Sequence, residues 1–507
     1  MSLLKFIFRD PEYTWFARIA IPSIIIQFCV FKFCYPYAGF INGDSYVYIE
    51  TAYHNLPLNT YPIGYSKFLR LFSVFTRSDT AVVAFQYFFL QASSLSLVFT
   101  LFHFYKPARL TRILLFFCML FNPAFLYLAN YISSDAIFLA VSLTWFTLLI
   151  WIMNKPTGLL VVVNALVLFA AFTVRYNALF YPVISIVALF LTRKRVWMNI
   201  GGFAISILLI VAFVQATSLK YKEISGYRQF SPFTGWQMAN NALYAYRYVD
   251  SARRTEVPNR FKVIDNLVRN YFDSTRDLNK HPEEGVLAGT AYMWEANSPL
   301  SIYMESKFKK DSTASALKKW AVAAPMMQDY GSFLVRTYPV EFAKYYLIPN
   351  AMKYYVPPVE FLDHYSTGID SVAQIAQVWF DYKSKKIRTN LKDFKVNVLN
   401  FYPVFTGTMH VVLILSMLSF FLLNGYRHYP QLKRGILLVI TLWAVNFGFS
   451  VFASPIALRF QLFPILVSFS FTFLLVEFLI HATQGVSKED DAAKFNGLVA
   501  DQSETAI

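Results

Sequence analysis

Charge is scarce in this sequence. Asp, Glu, Lys and Arg make up 15% of its 507 residues, against about 25% in soluble domains. That deficit excludes the polar-surfaced soluble domains otherwise expected at this length. Cysteine is scarcer still. Cys29, Cys34 and Cys118 lie in or beside apolar runs, at spacings that fit neither a disulfide framework nor a metal site, so they read as packing residues. No internal repeat is visible. No small-residue cleavage site follows the first apolar run, so that run reads as a retained span with Lys5, Arg9, Asp10, Glu12 and Arg18 at its start. The net charge of +16 is not concentrated in any soluble domain, which argues against nucleic acid as a partner.

What the chain has in abundance is apolar and aromatic side chain. Hydrophobic residues are 56% of it, with 52 Phe and 33 Tyr, and the mean hydropathy is +0.41. Aromatic anchors of this kind suit many membrane–water interfaces. Apolar runs fall at 15–34, 81–104, 112–130, 135–153, 157–173, 178–192, 198–217, 403–424, 434–453 and 460–481. Most are long enough to cross a hydrocarbon core of about 30 Å, and the run at 178–192 is the short one. The expectation is an all-α polytopic membrane helix bundle of about ten spans in contact with a lipid bilayer.

Two long hydrophilic stretches interrupt the runs, giving four parts. Residues 1–217 form an N-terminal transmembrane module with a first long loop at 36–80. Residues 218–402 form a mostly helical extramembrane domain, 403–482 the C-terminal spans and 483–507 a polar tail expected to be disordered. Orientation follows from Lys and Arg in short loops. Lys106, Arg109 and Arg112, Lys155, Arg193 to Arg195, and Arg427, Lys433 and Arg434 all fall on the side of the N-terminus. Both termini are therefore expected in the cytoplasm, and both long stretches outside. Short loops and the lack of a retention signal point to a bacterial inner membrane.

On the side depleted of basic residues, a few polar groups stand out. Asp44 lies in Asn42-Gly43-Asp44-Ser45-Tyr46, and Lys67 follows Tyr61-Pro62-Ile63-Gly64-Tyr65-Ser66. Asp135 opens a span after Ser133-Ser134; Arg175 lies between two spans and Arg459 opens the last. Each has a plain explanation singly: a turn aspartate, an interfacial helix start, an anion favoured at a helix N-terminus, or an arginine snorkelling to headgroups. Together they are two carboxylates and two guanidiniums from four separate connections, expected at one membrane face. A carboxylate deprotonates an acceptor hydroxyl, and a planar guanidinium suits a phosphate. Glycosyl transfer from a lipid-linked phosphosugar needs those groups, and it requires the four to converge.

The pattern resembles the GT-C superfamily of polyprenyl-phosphate-sugar-dependent glycosyltransferases, in its protein O-mannosyltransferase and aminoarabinose-transferase-like branch. The matching parts are Asp44, the Tyr61 to Tyr65 stretch, Asp135, Arg175, and Arg459-Phe460 with Pro464. The resemblance covers residues up to about 217 best and 218–402 loosely. It departs in one respect: the branch often pairs two acidic residues in the first loop, where here Ser45 follows Asp44 and Glu50 comes later.

The resemblance implies a GT-C-like fold and an inverting transfer from a polyprenyl-phosphate-sugar donor to a glycan, lipid or protein acceptor. Asp44 would be the base, and Asp135 would orient the acceptor or support a metal. Arg175, Arg459 and Lys67 would bind donor phosphate. Tyr46, Tyr61 and Tyr65 would line the substrate loop, with Trp236, Asn240 and Asn241 facing acceptor or sugar. Asp44, Glu50 and Asp135 are oxygen ligands of the kind Mg²⁺ or Mn²⁺ takes, so a divalent metal is a candidate cofactor that the sequence does not demand. Three other readings stand beside it: a secondary transporter, an O-antigen ligase or polymerase relying on groups such as His281 and His364, and an assembly factor.

Overall fold

The computed structural model describes residues 11–192, 195–311, 313–453 and 455–484. The basic residues Lys5, Arg9, Arg193 and Lys194, and the tail from 485, lie outside the described residues. Among those described the chain is helical with no strand; three isolated bridges are the only β-type pairings.

Among the described residues, eight helices are long and apolar enough to cross a membrane: Tyr13–Cys34, Asp79–Tyr105, Arg109–Asn130, Ser134–Asn154, Val196–Ser225, Tyr402–Leu422, Pro430–Ala453 and Leu458–Thr483. The other two expected spans are shorter apolar helices, Gly158–Val174 and Tyr176–Leu191. At 17 residues the first is about 26 Å long, just short of the hydrocarbon core. Arg109–Asn130 breaks at Asn122, whose side chain caps the next turn by accepting from the Ala124 N–H at 3.0 Å ahead of Pro123.

Burial separates centre from rim. The Ser134–Asn154 and Leu458–Thr483 windows are 78% and 72% buried, whereas Tyr13–Cys34 and Val196–Ser225 are only 22% buried. Ile21, Ile25, Ile26 and Leu208 project outward from the rim helices, as lipid-facing residues do. The two central helices carry Asp135 and Arg459 on their first turns. Their far ends meet the basic connections: Arg434 donates to Asn154 Oδ1 at 3.4 Å, and the backbone N–H of Ala108, between Lys106 and Arg109, donates to Glu477 at 2.9 Å. One end of the bundle thus gathers basic connections, and the opposite end gathers the two carboxylates.

The hydrophilic stretches depart from the expected boundaries. Lys220, Lys222 and Glu223 end the apolar run but not the helix, which continues to Ser225 and stops at Gly226, a residue with φ 77°. Residues 218–225 therefore belong to the last helix of the N-terminal module. The stretch at 36–80 is no open loop, since it contains helices Asp44–Tyr53 and Gly64–Phe72.

The 218–402 region divides in two. Its first part is mostly helical with a core of its own, in which Trp236, Phe261, Tyr330 and Tyr346 are buried. Its later part, 356–401, is mostly irregular, with only Tyr365–Gly368 and Gln374–Trp379 helical. Leu362, Val372, Trp379 and Leu399 join the core of the membrane bundle instead. The Pro357-Pro358 pair marks this change, since a proline ends helical hydrogen bonding and the residue before it avoids the helical region.

Candidate functional site

Four helix ends meet at one point. Asp44 is the first residue of its helix, and the preceding Gly43 has φ 86°, a conformation that a side chain would strain. Asp135 sits on the first turn of Ser134–Asn154, where the Ser133 hydroxyl donates to its Oδ2 at 2.9 Å. Arg175 directly follows Gly158–Val174 on extended backbone. Arg459 is on the first turn of the last helix, whose start is fixed by Leu458 N–H donating to the Pro358 carbonyl at 2.8 Å.

Arg459 bridges the two carboxylates. Its Nη1 donates to Asp44 Oδ2 at 3.0 Å and to Asp135 Oδ2 at 3.1 Å, and its Nη2 reaches Asp44 Oδ2 at 3.1 Å. Arg175 pairs with the other Asp135 oxygen, and the Tyr61 hydroxyl donates to Asp44 Oδ1 at 2.8 Å. A cation on the first turn opposes the helix dipole, so these carboxylates are what allow Arg459 to stand there. Aromatic faces complete its surroundings. The Arg459 guanidinium lies 4.3 Å from both the Phe361 and Phe460 rings, and Arg175 lies 4.5 Å from the same Phe460 ring.

The cluster is graded in exposure. The Asp135 side chain is 1% exposed and that of Arg459 5%, whereas Arg175 and Asp44 reach 19% and 24%. Asp44 is therefore the carboxylate that a ligand meets first. Arg459 Nε is buried and has no hydrogen-bond acceptor among the described residues. Burial, then the charge of Asp44, holds the Tyr61 phenol far above its usual range, so Tyr61 remains a donor. Beside Tyr61 lies a small crevice, lined among others by Asn59, Tyr176, Phe213 and Tyr221. Phe213 and Tyr221 belong to the rim helix Val196–Ser225.

The remaining expected site residues lie outside this network. The Lys67 ammonium donates to Asn55 Oδ1 at 2.8 Å and to the Leu56 carbonyl at 3.0 Å. Tyr46 stacks on Phe40, with centroids 5.8 Å apart. Tyr65 is fully buried and donates to Gln86 at 2.8 Å. Trp236 is fully buried in the helical part of 218–402. Asn240 donates to the Gly289 carbonyl at 3.0 Å, and Asn241 donates to the Phe452 carbonyl at 3.2 Å. These two amides act within the fold, and Asn241 ties that part to the Pro430–Ala453 helix. His281 and His364 sit beside Glu284 and Asp363.

Phe361 is the site residue that sequence reasoning missed. It has φ 67° in an irregular segment, and nothing in the local sequence marks it except the proline pair before it. The donor set does not suit a metal. Each carboxylate oxygen of Asp44 and Asp135 already accepts from Tyr61, Arg459, Arg175 or Ser133. Among the described residues no three His, Cys, Asp or Glu side chains gather as ligands.

No known family model, curated protein or solved structure matches this chain.

Proposed function

We propose that the chain is a membrane glycosyltransferase, with its site on the extracytoplasmic face of a bacterial inner membrane and both termini in the cytoplasm. It moves a sugar from a polyprenyl-phosphate donor to an acceptor hydroxyl. The observation that carries this reading is the Asp44–Arg459–Asp135–Arg175 cluster at the end of the bundle opposite the basic connections. Two carboxylates and two guanidiniums neutralise one another in the free protein. A donor phosphate brings the anion that competes for Arg459 and Arg175, and the buried Arg459 Nε has a hydrogen bond to give it. Asp44, the more exposed carboxylate, is then released from its partner and free to accept a proton.

The acceptor hydroxyl loses its proton to Asp44 as its oxygen bonds to the anomeric carbon. The bond from that carbon to phosphate breaks on the opposite face, through an oxocarbenium-like state, and polyprenyl phosphate leaves with inversion. The arginines stabilise the charge that grows on the departing phosphate. Asp135 holds both guanidiniums in place.

The test is turnover of polyprenyl-phosphate-linked hexoses and pentoses by the chain in proteoliposomes. Asp44→Asn removes the base and lowers the rate by about 10²–10⁴-fold, while donor affinity stays near wild type. Arg175→Ala weakens donor binding instead. Unchanged turnover in Asp44→Asn removes Asp44 from the reaction. Movement of a labelled solute with no donor consumed replaces the transferase with a transporter.

A further inference from the structure

Three tryptophans stack beside the cluster. The Trp236 and Trp320 rings are 4.8 Å apart at 6°, and Trp320 and Trp294 are 5.5 Å apart at 15°. The innermost, Trp236, is fully buried and donates through Nε1 to the Trp320 carbonyl at 3.1 Å. The outermost, Trp294, is 45% exposed. The two rings behind it hold it in place, so it presents a fixed apolar surface rather than a mobile side chain.

That surface leads to the reacting carboxylate. Tyr61 lies 6.3 Å and Phe233 6.0 Å from the Trp294 ring, and the Tyr61 hydroxyl is on Asp44. An acidic residue adjoins Trp294 in the chain. Glu295 is the next residue, and its carboxyl is raised first by burial and then by Glu283 and Glu284. An aromatic face carries partial negative charge and attracts the C–H face of a saturated ring. Carboxylates accept from hydroxyls on that ring's edge. A saturated ring with an apolar C–H face and a hydroxyl-bearing edge describes a pyranose sugar.

We propose that Trp294, with Tyr61 and Phe233, is a platform on which a pyranose ring lies within reach of Asp44. The identity of the ligand rests on the glycosyl-transfer reading; the stack of rings behind Trp294 is observed directly. It also relocates the carbohydrate contact that the sequence suggested for Trp236: the buried ring is the prop, and the exposed one the contact. Donor and acceptor sugars share this chemistry, so the experiment separates them.

Saturation-transfer NMR on the full chain in nanodiscs uses cello-, chito- and manno-oligosaccharides as free probes. A polyprenyl-phosphate hexose is compared in parallel with the same polyprenyl phosphate lacking sugar. Trp294→Ala is expected to weaken sugar binding about tenfold, and Trp294→Phe to restore most of it, with unchanged thermal melting in both. If the loss falls on free oligosaccharides alone, the platform holds the acceptor. If it falls on the sugar-bearing lipid but not the bare one, the platform holds the donor sugar. Equal affinity of wild type and Trp294→Ala for every probe, or no binding of any probe, overturns the platform. Trp294-dependent sugar binding with no donor consumed keeps the platform and sinks the transferase.

Discussion

Arg459 is the residue on which the cluster depends. It is a nearly buried cation at a helix start, held by Asp44 and Asp135 and covered by Phe361 and Phe460. Arg459→Met leaves two carboxylates facing each other without a bridge. The expected cost is about 3–5 kcal/mol of stability, read as a drop in melting temperature in detergent. A Met variant as stable as wild type contradicts the bridge. Tyr61→Phe is expected to cost about 1.5–3 kcal/mol, the worth of a hydrogen bond to a charged group. The folded-state phenol is raised above its unfolded value of about 10, so its contribution is present below that pH and is lost only above it. The stability difference is therefore flat between about pH 6 and 9, and a difference that vanishes in that window shows that something else titrates there. The sequence singled out the four charged residues because Arg175 and Arg459 break the charge bias, Asp135 opens an apolar run, and Asp44 follows a glycine in the first long loop. It did not reveal their pairing, which depends on four helix ends distant in the chain. Phe361 was illegible because its place comes from an irregular backbone with positive φ.

At the scale of elements, close approach sets the cluster's geometry. Gly64 opens the Gly64–Phe72 helix, and a Cβ there would lie 2.6 Å from the Thr173 backbone, two positions before Arg175. Gly64→Ala is expected to cost about 1–3 kcal/mol as an overpacking change and to weaken donor binding through the displaced Arg175. Normal donor affinity in a destabilised Gly64→Ala shows that Arg175 does not depend on this contact. Helix existence was legible from apolar runs, and most ends fell close to the expected boundaries. The misreadings had local causes. Charge at Lys220 to Glu223 ends an apolar run without ending a helix, and helix Asp44–Tyr53 has no apolar run to announce it, whereas the helix start expected after Tyr61-Pro62-Ile63 is the helix Gly64–Phe72. Trp236 attracted attention by residue type, yet burial decides which tryptophan meets a ligand.

Across the whole molecule, two ends of one bundle differ in charge. The basic connections meet near Asn154 and Glu477, and the carboxylates meet near Arg459. In the proposed orientation, drawn from positive charge, the Asp44 end faces outside. With Cys29, Cys34 and Cys118 replaced, Asn42→Cys is expected to react with an impermeant maleimide from outside intact cells, and Arg427→Cys only after lysis. The opposite pattern inverts the molecule and removes the lipid-linked donor from reach of the site. The all-helical class and the splitting of charge between two ends follow from composition and loop charge alone. The division of 218–402 does not, because it depends on which core each half joins. The most direct test is a cryo-EM structure of the chain with a non-hydrolysable polyprenyl-phosphonate sugar. The account predicts the phosphonate on Arg175 and Arg459, the Arg459–Asp44 pair opened, and the Asp44 carboxylate facing the anomeric carbon. A donor bound elsewhere, with the four-residue cluster still closed, contradicts it.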